Sequence, residues 1–364
     1  MRSNAPLIIK YRPHSWDTVV GQDRAVSQLK GILSTHTIPN ALLFSGPSGV
    51  GKTSLARLFT QYLNCTTNDL CGKCPSCKTS LVNNPNFVEM NAADARGIDD
   101  VRDLISKLKY RPSISGTFRV FLVDEAHAWT GPSWQAFLKP LEEMPSSSFV
   151  IFSSTNPEKF PPAIRGRCLQ IPLNHVSEPE LVKNLKRVIK EEKWAEFKKQ
   201  DELLVRIANA AGGQVRDSLQ FLESIHYSAL ATDNLDTAAT KVLGSLQEET
   251  KNVALLLMAI IADDAEQIFV RSKFVSNWVD AINKMSWGLV YIMEKLSKTG
   301  NMYATPFNTL IWSVFTKLQK QGVEFGYGQL FSAGRLLSQA RQGIIQGTFD
   351  STSTPYFLVK ESHD

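Results

Sequence analysis

The chain has 364 residues, and at about 150 residues per domain this length predicts two or three domains. Hydrophobic residues make up 43% of the sequence, which excludes a wholly disordered chain, and the longest apolar run, Val253–Ala262, is too short to span a membrane. Five cysteines exclude a disulfide scaffold, and no apolar segment follows the first residues as a secretory signal would require. The sequence therefore predicts a soluble, intracellular, multi-domain protein.

The formal net charge of +5 is concentrated in the first half of the chain. Residues 1–177 carry 19 basic and 13 acidic side chains, whereas the remaining residues carry 21 basic and 22 acidic ones. An excess of this size suits binding to a polyanion, and it suits an ordinary solvated surface equally well. Charge alone therefore does not decide whether the protein binds nucleic acid.

Short apolar runs separated by helical stretches fill the first half of the chain. The apolar runs are Ala41–Ser45, Val120–Val123 and Phe149–Ser153, and Ser54–Leu63 has the apolar spacing of a helix. Strands alternating with helices predict a parallel sheet that is covered on both faces.

The pattern changes near Ile171–Pro179, and helices follow from there on. A mixed-charge stretch over residues 180–200, a helix near 201–211 and another from Val215 are predicted first. Long helical patterns without strand signals then continue to the region Gly343–Gln346. The second half is therefore predicted to be all-helical.

Residues 46–53 match the phosphate-binding pattern G-x-x-x-x-G-K-[ST], and they lie between a predicted strand and a predicted helix. Glycines let the backbone wrap phosphate with its N–H groups, and the helix N-terminus adds positive potential. Lys52 is predicted to reach the β- and γ-phosphates, and the Thr53 hydroxyl to bind Mg²⁺. The predicted nucleotide-binding residues of this segment are Gly46, Gly49, Val50, Gly51, Lys52, Thr53 and Ser54.

Two acids follow the apolar run at 120–123. The strand would bring Asp124 to the metal, and Glu125 would orient or deprotonate the attacking water, which predicts hydrolysis rather than binding alone. His127 continues the string D-E-A-H, and a catalytic role is no better supported for it than an exposed histidine at the start of a helix.

Four cysteines lie close together in the sequence, at Cys65, Cys71, Cys74 and Cys77. Four thiolates close a tetrahedral zinc site that has no open position for chemistry, so the predicted role is structural. Four cysteines also hold iron–sulfur clusters, but the chain shows no other redox feature. The fifth cysteine, Cys168, is predicted to be a small buried residue.

With these motifs in order, the sequence resembles the clamp-loader ATPases of DNA replication, and among them the gamma/tau subunits of bacterial DNA polymerase III. The resemblance covers nearly the whole chain. Besides the phosphate loop, the cysteines and the acidic pair, it rests on Tyr11-Arg12-Pro13, Val19-Val20-Gly21-Gln22, Phe137-Leu138-Lys139, Leu141-Glu142-Glu143, Thr155, Gly166-Arg167-Cys168, Gly213-Gln214-Val215-Arg216-Asp217 and Val242-Leu243-Gly244.

The resemblance implies a role for several of these residues. An adenine pocket is implied for Tyr11, Arg12, Pro13 and Val20. Thr155 and Arg216 are implied as sensors of the γ-phosphate in the same subunit, and Arg167 as the arginine that reaches the ATP of a neighbouring subunit. The implied catalytic set is Lys52, Asp124, Glu125, Thr155, Arg167 and Arg216, with Thr53 and Asp124 as Mg²⁺ ligands.

The implied fold is an AAA+ α/β module followed by a small helical lid and an all-α collar. The expected boundaries are 1–177 for the P-loop ATPase domain with its zinc knuckle, 178–240 for the lid and 241–364 for the collar that forms the oligomer. The implied cofactors are ATP, Mg²⁺ and Zn²⁺.

Some positions depart from the family pattern. Gly166 replaces a serine, Asn156 follows the sensor where Asp is common, and Met144 replaces a proline. Pro140 interrupts a helix and is expected to kink the segment that carries Lys139, which puts in doubt a role for Lys139 between DNA and ATP. With a sequence that ends near the close of the collar, these departures fit a divergent, gamma-like short form, such as one encoded by a phage.

The expected function is that of a motor subunit that opens a ring-shaped sliding clamp and loads it onto primer-template DNA. The expected partners are the clamp, the DNA, further copies of the chain, and delta-like and delta-prime-like subunits, in the cytoplasm of a bacterial or phage-infected cell and without a membrane. Arg96 and Arg102 are the candidate DNA contacts. The alternatives are a non-hydrolysing delta-prime-like subunit and a branch-migration or helicase-loading ATPase.

Overall fold

The structure is a computed structural model, and it describes residues 5–35, 38–95, 97–113, 117–232, 234–262, 264–273, 275, 278–297, 310–316, 327–345, 354 and 358. The chain divides into two compact units. Unit 1 comprises Met1–Lys199 and Gly213–Glu223, and unit 2 comprises Gln200–Gly212 and Ser224–Asp364.

Unit 1 is built on a five-stranded sheet in which every strand pair is parallel. The strand order is β2-β3-β4-β1-β5. The strands are β1 (Ala41–Ser45), β2 (Phe87–Asn91), β3 (Arg119–Asp124), β4 (Ser148–Ser154) and β5 (Leu169–Pro172). The predicted parallel α/β sheet is thus confirmed, and β1, β3 and β4 coincide with the three predicted strands.

Helices surround this sheet. In chain order they are α1 (Leu7–Lys10), α2 (Asp23–Thr35), α3 (Lys52–Leu63), α4 (Pro75–Lys78), α5 (Ile98–Leu108), α6 (Gly131–Glu142), α7 (Pro162–Arg165) and α8 (Glu178–Glu192). Each long helix buries one stripe; in α2, for example, the buried residues are Ala25, Leu29, Ile32 and Leu33, a spacing that lies on one helical face. Helix α6 continues through Pro140 and ends at Glu142.

Two apolar cores lie on opposite faces of the sheet, because successive side chains of a strand point to opposite faces. In β1, Leu42 and Phe44 pack into one core with α2 and α3, and Leu43 packs into the other with α5 and α6. A fully buried Leu or Phe side chain contributes about 1.5–3 kcal/mol. The central strands are therefore the most firmly held part of unit 1.

The described residues of unit 2 contain helices and no strand, as the sequence predicts. The helices are α9 (Asp201–Ala210), α11 (Leu235–Ala262), α12 (Ala265–Ser272), α13 (Trp278–Ser297) and α14 (Tyr327–Ile345), and residues 310–316 are also helical. Helix α10 (Val215–Thr232) is divided between the units at Glu223. The apolar run Val253–Ala262 is the buried end of α11.

The division into three domains at 177 and 240 stays a prediction. The helices near residue 201 and from Val215 begin where the sequence predicts. The predicted lid is one contiguous segment, whereas α9 belongs to unit 2 and α10 is divided between the two units. Among the described residues, no helix combines the length and the apolar character that a membrane crossing requires.

Candidate nucleotide and metal sites

The candidate nucleotide site lies at the carboxyl edge of the sheet in unit 1. Strand β4 lies between β1 and β3, so the segments that follow these three strands meet at one edge. The phosphate loop follows β1, the acidic pair ends β3, and Thr155 follows β4. The N–H of Gly46 donates to the carbonyl of Ser154 at 3.3 Å, which joins the loop to β4. Open parallel sheets bind ligands at this edge.

Glycines shape the phosphate loop. Gly46 has φ +146°, and a Cβ there would lie 2.2 Å from the carbonyl oxygen of Leu173. Gly49 has φ +71°, and a Cβ there would lie 2.7 Å from the side-chain oxygen of Gln214. Gly51 has φ +104° and begins α3 as its N-cap residue. The loop therefore adopts the positive-φ backbone conformations that glycine permits, and these let backbone N–H groups wrap a phosphate.

Lys52 is almost completely buried beneath this loop. Its Nζ donates to the carbonyl oxygens of Gly46 at 2.8 Å and Pro47 at 2.7 Å. Burial lowers the pKa of Lys52, and the carboxylates of Glu125 and Asp124 oppose that shift. The ammonium group thus lies under the phosphate loop beside both acids.

Thr53 and Asp124 meet as the magnesium prediction requires. The Thr53 hydroxyl donates to Asp124 Oδ2 at 2.8 Å. A hydroxyl and a carboxylate are the hard oxygen ligands that Mg²⁺ takes in proteins, so these two groups fit the ion. Ser54 is half-buried next to them, at the start of α3.

Glu125 faces the residue that follows β4. Thr155 Oγ1 donates to Glu125 Oε2 at 3.4 Å, and His127 Nδ1 lies 3.2 Å from the same oxygen. Glu125 has the left-handed backbone conformation, with φ +49°, at the turn after β3. The structure therefore brings together Lys52, Asp124, Glu125 and Thr155 at one edge.

The two predicted arginines lie in different surroundings. The backbone N–H of Arg216 donates to the carbonyl of Gly49 at 3.2 Å, so the start of α10 contacts the phosphate loop directly. Arg167 is exposed, donates to the carbonyl of Ala163 at 2.6 Å and forms an ion pair with Glu142. Among the described bonds of its own chain, Arg167 makes none with the phosphate loop, and its role towards a neighbouring subunit stays a prediction.

The predicted adenine-pocket residues form the entry segment of unit 1. Tyr11 donates its hydroxyl to Glu192 Oε1 at 2.5 Å, and burial together with this bond raises the pKa of Tyr11. Arg12 is exposed, whereas Pro13 and Val20 are half-buried. The role of these residues in adenine binding stays a prediction.

The four clustered cysteines form a compact group. Their Sγ atoms all lie within 4.8 Å of one another, and all five cysteines of the chain are free thiols. Backbone N–H groups of Cys71, Cys74 and Cys77 each donate to the preceding cysteine's sulfur at 3.4 Å. Burial raises the pKa of Cys65, but hydrogen bonds from Thr67 and the backbone outweigh it and lower that pKa to about 6.

This group fits a zinc ion. Four sulfurs around one Zn²⁺ with bonds of about 2.3 Å lie roughly 3.8 Å apart, a spacing that the cluster can reach with small movements. Cys168 lies away from the group and is buried, and burial raises its pKa to about 12, as suits an inert core thiol.

The candidate DNA contacts receive little structural support. Arg96 lies outside the described residues. Arg102 is exposed on α5 and pairs with Asp99 at 3.2 Å, one turn away on the same helix. Lys139 is also exposed, and its Nζ lies 3.7 Å from Glu143.

Two contacts at the site link residues far apart in the chain and went unpredicted. Gln22 donates to the carbonyl of Asn174 at 2.7 Å and accepts from the N–H of Asn174 at 3.2 Å. Arg187 lies over the ring of Tyr11. No local sequence pattern identifies such pairs, because their members lie on different elements.

Comparisons with known proteins agree with the motifs and the fold. A family model described as DNA polymerase III, delta subunit, matches residues 21–177. The tau/gamma subunit of Haemophilus influenzae is 31% identical over 342 residues, which is 91% of this chain and 48% of the relative. The gamma subunit of Buchnera aphidicola is 33% identical over 71% of this chain and 70% of the relative.

A solved structure of Thermotoga maritima RuvB, described as a Holliday junction branch migration motor, has a TM-score of 0.50 at 17% identity. The match covers 69% of this chain and 79% of the RuvB chain, and it shows a likeness of fold. The chain spans about half the length of relatives such as the Haemophilus influenzae subunit. On the strength of the Buchnera aphidicola relative, the chain belongs to the gamma/tau family of DNA polymerase III subunits.

Proposed function

We propose that the chain is an ATP-hydrolysing motor subunit of a DNA-replication clamp loader, which opens a ring-shaped sliding clamp and places it on primer-template DNA. One observation carries the proposal. In a member of the gamma/tau family, the ammonium group of Lys52, the Thr53–Asp124 pair, Glu125 and Thr155 converge at one sheet edge.

The phosphate loop binds the phosphates of ATP through backbone N–H groups at the start of α3 and through Lys52. When phosphate enters, the Lys52 ammonium group exchanges the carbonyls of Gly46 and Pro47 for phosphate oxygens. Because Lys52 is buried, its attraction to phosphate is little screened by solvent. Arg216, next to the loop, adds a second positive charge in the same subunit.

Thr53 and Asp124 would hold Mg²⁺, which neutralises charge on the phosphate oxygens when it is bound. Glu125 then orients or deprotonates the attacking water, and Thr155 holds a position between Glu125 and the γ-phosphate. Arg167 is exposed, so it is free to reach the ATP of a neighbouring copy, where it stabilises the charge of the transition state.

The four-cysteine group binds one Zn²⁺ and stiffens the segment after α3, with no part in the chemistry. The 178–240 segment acts as a lid and the 241–364 segment as the collar that joins subunits. The partners are the clamp, further clamp-loader subunits of delta and delta-prime type, and DNA, whose backbone Arg102 would contact without sequence preference. The proposed location is the bacterial cytoplasm.

The test is ATP turnover by the chain assembled with its partner subunits and clamp, with primed and with unprimed DNA. Primed DNA should raise turnover several-fold. Glu125→Gln should lower turnover by about 100-fold or more while ATP still binds, since a general base contributes that much. The matched control is Glu202→Gln, at an exposed position of α9, which should leave turnover unchanged. ATP turnover that primed DNA does not raise would contradict the proposal.

A second candidate is a non-hydrolysing structural subunit of the same assembly, favoured by the delta-subunit description of the matching family model. It predicts ATP binding without turnover even in the complete assembly, so the same assay separates the two. The likeness to RuvB concerns the fold alone and supports no branch-migration activity.

A further inference from the structure

His127 faces the catalytic edge of the sheet from the short turn that follows β3. Its Nδ1 lies 3.2 Å from Glu125 Oε2 and 3.2 Å from Ser154 Oγ. Ser154 is the last residue of β4, immediately before Thr155. One ring nitrogen therefore contacts the residue proposed to activate water and the strand that carries the proposed sensor.

The chemistry of these groups fixes the position of the proton. An ionised carboxylate only accepts hydrogen bonds, so the Nδ1 that lies against Glu125 must carry hydrogen. Burial lowers the pKa of His127, which leaves the ring neutral at pH 7 with a single N–H, on Nδ1. Ser154 Oγ accepts from the N–H of Asn156 at 3.0 Å, and in this tautomer it shares the Nδ1–H of His127 with Glu125 as a second acceptor.

The imidazole is more buried than the carboxylate that it contacts. The side chain of His127 is 17% exposed and that of Glu125 is 37% exposed. Ala126 beside it is fully buried, and Trp129 packs at 5.9 Å, between ring centroids, on Phe152 of β4. The backbone of this turn is thus anchored in the core, so the histidine is suited to fix the more exposed glutamate.

We propose that His127 is a positioning residue for Glu125, whose carboxylate it holds through an Nδ1–H hydrogen bond in the orientation that activates water, with Ser154 fixing the ring. The inference rests on the proposed ATPase activity. His127 acts through Glu125 and does not touch the nucleotide.

The test is steady-state ATP hydrolysis by the assembled complex with primed DNA, with kcat and KM determined separately. His127→Leu should lower kcat by about 10- to 100-fold, the effect of losing a hydrogen bond to a charged group, and leave KM for ATP unchanged. His127→Asn should restore most of kcat, because its amide N–H can occupy the place of Nδ1. His127→Gln moves the donor towards the place of Nε2, and it serves as a second loss variant that keeps polarity and size.

A double variant separates positioning from a general structural effect. In the Glu125→Gln background, His127→Leu should cause no further loss of kcat, because the residue through which it acts is already removed. His226→Leu, in α10 and outside unit 1, is the matched control and should leave kcat unchanged.

The inference would be overturned if kcat were unchanged in both His127→Leu and His127→Gln, or if the losses of kcat from His127→Leu and Glu125→Gln were fully additive. In either case, turnover by the wild-type assembly would still support the proposed function. Failure of His127→Asn to restore kcat would also overturn it. Absence of any turnover in the wild-type assembly would instead overturn the proposed function, and the inference with it.

Discussion

Two glycines of the phosphate loop occupy positions that no other residue can take without strain. Gly46 combines φ +146° with a carbonyl oxygen 2.2 Å from where a Cβ would lie, and Gly49 combines φ +71° with the side chain of Gln214. The first neighbour is backbone and cannot move aside, whereas the second is a side chain that can. Gly46 is therefore the position where the shape of the loop is most sensitive to substitution.

Gly46→Ala should abolish ATP binding and destabilise the chain by at least the roughly 1–3 kcal/mol that such a backbone conformation costs a non-glycine residue. Nucleotide titration and thermal unfolding measure the two effects. Gly31→Ala is the control, because Gly31 lies in α2 with open space around its Cβ position, and it should raise stability by about 0.5–1 kcal/mol. Normal ATP binding by Gly46→Ala would contradict the proposed role of the loop.

At the scale of single residues, the sequence predicts the functional residues that belong to contiguous motifs. The phosphate loop and the acidic pair were identified because their members are neighbours in the chain. The contact of His127 with Glu125 was not, because a histidine in D-E-A-H is equally consistent with exposure, and only the packing of the turn decides where the ring points. Tyr11 with Glu192 was missed because 181 residues separate them.

Among the elements, the segment after α3 has little regular secondary structure to hold it. It has no long helix or strand of its own, and its backbone takes left-handed conformations at Asn68, Leu70 and Gly72. Its backbone N–H groups point at cysteine sulfurs, which suits thiolates that share a cation. Binding of Zn²⁺ should therefore stabilise the fold of this segment directly.

Freshly purified protein should contain about one zinc per chain, and chelation should lower the unfolding temperature of unit 1, by about 2–4 °C for each kcal/mol lost. The double variant Cys65→Ser/Cys74→Ser should lose the metal, while Cys168→Ser should keep it. Metal analysis and calorimetry give the readout. After chelation, thiol reagents should label Cys65, whose pKa is lowered to about 6, before Cys168, whose pKa burial raises to about 12. Iron in the purified protein would contradict the zinc assignment.

The strands that the sequence did not predict are the two edges of the sheet. Strand β2 buries only Phe87 of its five residues and exposes Glu89 and Asn91, and β5 buries only Ile171 of its four residues. Central strands in a parallel sheet are apolar on both faces and are easily recognised, whereas edge strands need only one covered face. The burial of β1, β3 and β4 explains why these were predicted correctly.

In the molecule as a whole, the groups proposed to act on ATP in the same subunit all lie in unit 1. The side chain of Arg167 pairs with Glu142 instead. Its partner, Glu142, is about half-exposed, as is Arg167 itself. An exposed ion pair of this kind is worth about 0–1 kcal/mol, so a phosphate from a neighbouring copy can replace it at little cost. The placement suits a hydrolysis step that waits for assembly.

Assemblies containing Arg167→Ala should bind ATP but hydrolyse it about 10³- to 10⁵-fold more slowly, the contribution of an arginine supplied in trans. Mixing Arg167→Ala chains with Lys52→Ala chains should restore part of the turnover, because the second kind still offers its Arg167 to the ATP of the first. Arg24→Ala, at an exposed position of α2, is the control. No recovery on mixing would show that Arg167 does not act between subunits.

The most direct test of the proposed clamp-loading function is to load a labelled sliding clamp onto primed circular DNA. The loader is then washed away, and the amount of clamp that remains on the DNA is measured. We expect assemblies of the wild-type chain to load clamps repeatedly in an ATP-dependent way. Assemblies of Glu125→Gln should bind ATP without hydrolysing it, and they should fail to release the loaded clamp. Equal yields of loaded clamp from both assemblies, or loading without ATP, would contradict the account.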